Sequence, residues 1–427
     1  MQTVQGFARS NEVLDEQKGS SINRGGKKRK AKPLSSSSFP LFAKRHRKKM
    51  SGKTELRLFD EQLPQVVVHN AAFIDISSSN AIAQNSQSIE FLIRASETEY
   101  LDLNDSFLYI LYNVKAADGA KALADNALVT NVNYFMNALF KDVSLYLNDV
   151  KIEGGQGVYP YKATIETIFG FNRDAKFYHV KAMGLDEESA KRREWIAKSK
   201  TAELVGALRL DFFNQPKYLL PGVKVGIRLE RHHDSFALHG GGSKASKLII
   251  LDAKLYARRV RVAPEVLLAH EDGLLKKNAI YPYMRGYVIS HTISTGSLAH
   301  NIDNLFTSSL LPKFVIIGFV SSVGYMGENL SAAPFDFNHF NVSSVGLFLD
   351  GQSVPFREVY KPNFTKQLVV KDYIRSIIHS FEHFNTNLNN GISLDGFAHG
   401  NYTFFTFNLT PDFDMKQCQM PRDGNYI

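Results

Sequence analysis

The sequence predicts a mainly β chain in which one antiparallel sandwich is built twice. Three pairs of matching segments carry that reading. Val143-Ser-Leu-Tyr-Leu-Asn-Asp-Val-Lys-Ile152 is echoed by Val345-Gly-Leu-Phe-Leu-Asp-Gly-Gln-Ser-Val354, about two hundred residues further on. Each is an alternating strand, a turn pair and the start of a return strand. Asn-Asp and Asp-Gly suit a type I′ hairpin, because both central residues of that turn need positive φ. The run Phe107-Leu-Tyr-Ile-Leu-Tyr-Asn-Val114 recurs in kind at Phe314-Val-Ile-Ile-Gly-Phe-Val320, and Ile89–Ile93 is answered by Val288–Ile293. The three echoes keep the same order and a similar offset.

Taken along the chain, Gln65 to Val114 reads as strands with Ser, Asn and Asp punctuation, Tyr100 to Ser106 being a turn before the long strand at Phe107. Val132 to Lys141 suits a short helix leading into the hairpin. Gly154-Gly-Gln-Gly157 opens a loop, and Tyr161 to Phe169 suits a helix against a sheet. Asp186 to Ser199 is the clearest helical stretch, with a charged solvent face and Trp195 as its anchor. Strands return at Leu208–Phe213, Val223–Leu229 and Leu248–Val262, with Gly240-Gly-Gly242 as a loop tip. Pro264 to Lys277 reads as a helix with Pro in its first turn, where the missing N–H costs nothing. It would connect the halves, and Tyr281 onward is the second β-unit. Many short strands and few helices indicate sandwich or jelly-roll packing rather than βαβ alternation.

With 427 residues, 31 Phe and 18 Tyr, the chain can fill two cores. No run of eighteen apolar residues suggests a membrane span. The polar, charged first thirty residues are not a secretory signal, so the protein is expected not to be secreted. A single cysteine, Cys418, excludes an internal disulfide framework and a cysteine zinc site.

The net charge of +9 is concentrated at the start: residues 1–52 hold 13 Lys and Arg against three acids, and the remainder is nearly neutral. Two cationic clusters, Lys27, Lys28, Arg29, Lys30 and Lys32, then Lys44, Arg45, Arg47, Lys48 and Lys49, flank a serine spacer. Such a segment buries too little apolar surface to offset ordering entropy, so 1–52 is expected to be a disordered arm. Two readings stay open for it. One is nuclear import or sequence-independent contact with phosphate backbones; the other is a solvated tail.

Signals of site chemistry are weak. His232-His233-Asp234 invites a metal, but neighbouring strand residues point to opposite faces, so a loop pair at a strand end is the better reading. Asp102, Asn104 and Asp105 lack the Gly and Glu of a calcium loop. Gly154-Gly-Gln-Gly157 has no following Gly-Lys-Ser/Thr and is no phosphate loop. Neither a nucleophile elbow nor a His-Glu-x-x-His helix occurs, so no enzyme, metal or cofactor is expected.

A series of blocks carries a family resemblance: Leu139–Val150, Tyr159-Pro-Tyr-Lys-Ala-Thr-Ile-Glu-Thr167, Tyr218-Leu-Leu-Pro-Gly-Val223, Leu251–Tyr256, Ala263–His270, Pro334–Asn341, Leu349-Asp-Gly-Gln352 and Phe407-Asn-Leu-Thr-Pro-Asp412. Together, over Glu55 to Asp412, the chain resembles the major capsid protein of Polinton (Maverick) elements and the related adintoviruses, copies of which are widespread in animal genomes. The resemblance implies a double jelly roll and a structural protein that associates with itself. Homotrimers would form pseudo-hexagonal capsomers of an icosahedral shell, with a penton-type minor capsid protein as a further partner. The location would be the virion, or the host nucleus or cytoplasm. The implied division is an arm at 1–52, a first roll at 53–262, a helical connector at 263–280 and a second roll at 281–427. Family members continue past the Leu-Thr-Pro-Asp block into a further strand pair, whereas Gln417–Ile427 has no strand pattern. The second roll is therefore expected to lack its last strands. Two rivals stand beside this reading: a decayed or host-repurposed capsid relative that no longer assembles, and a carbohydrate-binding or cupin-like jelly roll.

Overall fold

The computed structural model describes residues 2–12, 67–83, 86–240, 246–303, 305, 312–327, 330–355, 357–380 and 390–410. The chain is mainly β, with antiparallel sheets and short helices, as the patterning predicts. The first unit is a sandwich of two four-stranded sheets. One has the order β2 (Val68–Ser77), β11 (Ser246–Val262), β4 (Glu99–Ala116), β8 (Ala202–Gly206). The other has the order β3 (Ser88–Ile93), β9 (Val225–Arg231), β6 (Phe140–Leu147), β7 (Val150–Glu153). A two-residue ladder joins β5 (Thr130–Asn131) to β10 (Leu238–His239). The facing sides interleave Phe91, Leu108, Ile110, Leu145, Ile227 and Leu255 in one core. β4 shows the alternation expected of a sheet with one wet face: Leu108, Ile110 and Tyr112 are buried and Tyr109 and Leu111 only partly so.

The second unit holds a four-stranded sheet, β12 (Tyr283–Ile293), β1 (Gln2–Glu12), β13 (Phe314–Ser321), β16 (Phe404–Asn408), and a separate hairpin, β14 (Leu347–Leu349) with β15 (Gln352–Val354). β13 is apolar without alternation because both its faces are covered. Phe314, Ile316 and Val320 join the large core, while Val315, Ile317 and Phe319 join a separate core with Leu347, Tyr360, Phe397 and Phe405. Gly318 allows close approach within that strand. A Cβ there would lie 2.9 Å from Phe337 and 3.0 Å from Phe404, whose rings pack at 4.5 Å.

Among the helices, α1 (Phe135–Ala138), α3 (Arg173–Phe177), α5 (Asp234–Ala237), α7 (Ser322–Met326) and α9 (Leu394–Ala398) are short. α2 (Tyr159–Gly170) realises the helix expected at 161–169, and α4 (Ser189–Ile196) the charged one at 186–199. Pro264 starts α6 (Pro264–Leu274). α8 (Val370–Ser380) falls in a region expected to be β throughout. It buries a polar face, Asp372, Ser376, His379 and Ser380, against the open edge of β16. Ser376 Oγ donates to Phe404 O at 2.9 Å and Tyr360 Oη to Thr406 O at 2.7 Å, so side chains satisfy a strand edge that would otherwise be a pairing hazard.

Two echoes occupy matching places. β4 and β13 are each third in their four-stranded sheets, and β6–β7 and β14–β15 are each the hairpin that follows. Both turns have the expected left-handed pairs, Asn148 and Asp149 at φ 47° and 68°, Asp350 and Gly351 at 48° and 79°. The third echo fails: Ile89–Ile93 is β3, in the opposite sheet from β2, whereas Val288–Ile293 lies in β12, the counterpart of β2. A shared alternation of apolar residues does not distinguish the two sheets of a sandwich.

Three further expectations are corrected. Tyr100–Ser106 is no separate turn but part of β4, whose register with β11 shifts there as an irregularity opposite Tyr256/Arg258. Leu208–Phe213 is not a strand. The N–H groups of Asp211 and Phe212 are taken by the Glu153 carboxylate at 2.9 and 3.3 Å, and Asp211–Asn214 forms a 3-10 turn. The arm is not disordered from its first residues: Gln2–Glu12 is a strand bonded on both sides. That stretch carries Arg9 alone among the arm's cations, and both clusters come after it. The rest of the arm and Asp412–Ile427 lie outside the described residues.

Gly351 sits at φ 79° with open space where a Cβ would stand. Gly351→Ala is expected to lower stability by about 1–2 kcal/mol through backbone strain alone, read as a shifted midpoint in urea unfolding. An unchanged midpoint would mean that the turn is not left-handed.

Candidate functional site at the junction of the two sandwiches

The described residues converge on no catalytic constellation; the chemistry they concentrate lies where the two units meet. α2 is buried on nearly every side, from Tyr159 to Ile168. It is buried all round although it carries Lys162, Thr164, Glu166 and Thr167, and it lies between β6 of the first unit and β12 of the second. Its aromatics make the seam. Tyr161 stacks on Tyr325 at 5.2 Å and meets Phe335 edge-on at 5.6 Å, and Phe169 meets Phe404 at 5.3 Å.

The same helix carries Lys162 into the seam. Its Nζ lies 2.5 Å from Glu153 and 2.9 Å from Asp211, all three less than a tenth exposed. Asp211 Oδ2 in turn accepts the backbone N–H of Gly286, in β12, at 2.8 Å. Burial alone would lower the Lys162 pKa, but Glu153, Asp211 and Glu166 outweigh it and hold the ammonium charged. Burial, with the charge of Glu166 adding to it, pushes Asp211 up to about 6 against the pull of Lys162. One cation among three carboxyl groups explains why the acid side is the strained one. Lys176 makes a second bridge, donating to Ile168 O at 2.6 Å and to Asn390 O of the second unit; burial lowers its pKa to about 7.

A polar cavity of about 290 Å³ opens at the same junction, lined by Asn133, Glu187, Arg192, Asp336, Asn401 and Tyr402. Arg192 is held by the carbonyls of Asn131 (2.9 Å) and Asp186. Asn133 Nδ2 donates to Tyr402 Oη at 3.3 Å. A larger, apolar groove of about 610 Å³ runs along α6, between Val68, Tyr100, Tyr218, Val262, Val266 and Tyr281. Beside it, Leu268 and Leu275 on and after α6 are 61% and 86% exposed.

The residues weighed from sequence fall elsewhere. The ten cations at Lys27–Lys32 and Lys44–Lys49 lie outside the described residues. His232 stacks on Phe236 at 3.8 Å, and burial lowers its pKa to about 4; His233 is the N-cap of α5. Asp102 and Asp105 do face a cation, the guanidinium of Arg258, at 3.2 Å from Asp102. Gly154-Gly-Gln-Gly157 does wrap an anion, but an internal one. The N–H groups of Gly155 and Gly157 point at the Asp142 carboxylate, at 2.7 and 3.3 Å. Three left-handed glycines build that nest. The sequence carries no signal of the Lys162 cluster, because its members are scattered over 58 residues and only the fold collects them.

No protein-family model matches the chain, and no curated protein matches it. Its fold is similar to solved viral structures at low sequence identity. The PBCV-1 virus capsid gives a TM-score of 0.48 at 11% identity, covering 86% of this chain and 85% of that one. The Faustovirus major capsid protein gives 0.45 at 9% identity, covering 87% and 88%. A structure of the Sputnik virophage gives 0.46 at 12% identity, covering 88% and 84%. Among the described residues no helix is long and apolar enough to cross a membrane.

Lys162→Met should cost about 3–5 kcal/mol, since it strands buried carboxylates without their cation. Adding Asp211→Asn should recover a large part of that loss in chemical denaturation. Failure of the second change to help would mean that the two side chains are not coupled. A second expectation concerns acid. His379 is 1% exposed, and burial lowers its pKa to about 4 from the ordinary 6.5. A depressed histidine contributes stability that is complete above pH 6.5 and is lost as pH falls towards 4, here at most about 3 kcal/mol. His379→Gln should flatten that part of the stability–pH curve; a curve of unchanged slope would show that His379 titrates normally.

Proposed function

We propose that the protein is a structural capsid protein that works by self-association and performs no catalysis. The observation that carries this is the repetition of one build within the chain. A four-stranded sheet with β4 or β13 in third place, followed by a type I′ hairpin, occurs once in each unit. Two similar bodies per chain give six similar corners to a threefold particle, the geometry a pseudo-hexagonal capsomer needs. The family resemblance over Glu55 to Asp412 supports the same reading and points to the Polinton and adintovirus lineage.

On this reading the first roll spans 53–262, the connector 263–280 and the second roll 281–427. The exposed Leu268 and Leu275 on the connector are available for contact between copies. A penton-type minor capsid protein would fill the fivefold positions of the shell. The clusters at Lys27–Lys32 and Lys44–Lys49 would serve nuclear import or hold encapsidated nucleic acid through its phosphates, without sequence preference. The location is then the virion.

Light scattering behind size exclusion should give three times the 48.0 kDa chain mass, and negative-stain microscopy should show pseudo-hexagonal particles or shells. A monomer at every concentration would reject the capsid reading in favour of a relative that no longer assembles. Leu268→Asp with Leu275→Asp should weaken association at least tenfold (about 1.4 kcal/mol) while leaving the melting temperature of the isolated chain unchanged. If association is unaffected, the connector is not a contact face.

A further inference from the structure

The place of β1 in the second sheet has a consequence independent of assembly. β1 is the chain's first element, yet it lies between β12 and β13, which come more than two hundred and fifty residues later. It runs antiparallel to both. Gln2 faces Ile293 and Glu12 faces Tyr283 on one side, and Gln2 faces Ser321 and Arg9 faces Phe314 on the other. β12 pairs with no other strand among the described residues, and β12 and β13 do not pair with each other. They stand on either side of a slot one strand wide, about 10 Å between them.

The first unit shows what normally fills such a slot. There the second place in the sheet belongs to β11, the last strand of its own unit. In the second unit that place is taken by a strand from the opposite end of the chain. We propose that the slot between β12 and β13 is a strand-acceptor site, and that its ligand is an extended peptide, residues 2–12 of this chain. Recognition is by main-chain ladders on both edges, as in strand-addition complexes. Because no tight turn ties β1 to either neighbour, the same peptide supplied from outside can replace it.

Two measurements on the full chain test this. Hydrogen exchange of the unaltered protein should show the amides of residues 2–12 protected to the same degree as those of 283–293. Exchange of 2–12 at the rate of a free peptide would overturn the proposal. Gln5→Pro with Ala8→Pro removes two ladder donors from β1 and should empty the slot. That variant should bind a synthetic peptide of residues 1–13 one to one and regain several degrees of melting temperature, whereas a scrambled peptide of the same composition should do neither. Where the variant does not stay soluble, it is refolded from urea with each peptide. Recovery of soluble protein with the native peptide alone supports the acceptor site, and equal loss with both counts against it. A soluble variant that melts like the original and ignores the peptide would also overturn the proposal.

Discussion

The rest of the structure depends on the burial of α2 between the two sandwiches. A sandwich can cover its own core and leave its outer faces to water, and the first unit does so along β4. The second does not. Its strand β13 is apolar and covered on both sides, and on the side turned towards the first unit it lies among Phe169, Phe335 and Phe337. Helix, sheet face and first-unit core form one continuous apolar body, so the units are not beads on a string. The placement of Lys162 follows from this. A lysine on a helix buried all round has nowhere to snorkel, so the fold must bring carboxylates to it, and it brings Glu153 and Asp211. Asp211 then ties the cluster to the backbone of β12.

Polar groups elsewhere follow the same logic of internal supply. The glycine loop after β7 turns its N–H groups on Asp142, Arg258 sits between Asp102 and Asp105, and α8 offers the Ser376 hydroxyl to the edge of β16. Each resembles a binding site in outline and is filled by the chain itself.

Much of the fold was legible because it rests on local pattern. The type I′ turns at Asn148-Asp149 and Asp350-Gly351, the Pro264 helix start and the charged helix before Ile196 need only neighbouring residues to specify them. What was not legible depended on distant partners. Leu208–Phe213 reads as a strand until Glu153 claims its N–H groups. Val370, Tyr373, Ile374 and Ile377 do carry a helical period, but α8 buries its polar side, because what it packs on is a strand edge and not an apolar face. The positive charge of residues 1–52 is concentrated after Gln2–Glu12, whose eleven residues carry one cation, so the segment's overall charge conceals the strand. The junction cluster could not be read at all, since its lysine and two acids share no spacing.

The two covered faces of β13 also bear on how the chain tolerates change. A strand with one wet side can exchange half its residues freely, so drift accumulates there without loss of the fold. β13 has no such half. Every position from Phe314 to Val320 is packed against something, and Gly318 is held small by rings on its own side. A substitution in this strand therefore disturbs packing on whichever face it points to, including the contact of Phe314 with Phe169 of α2.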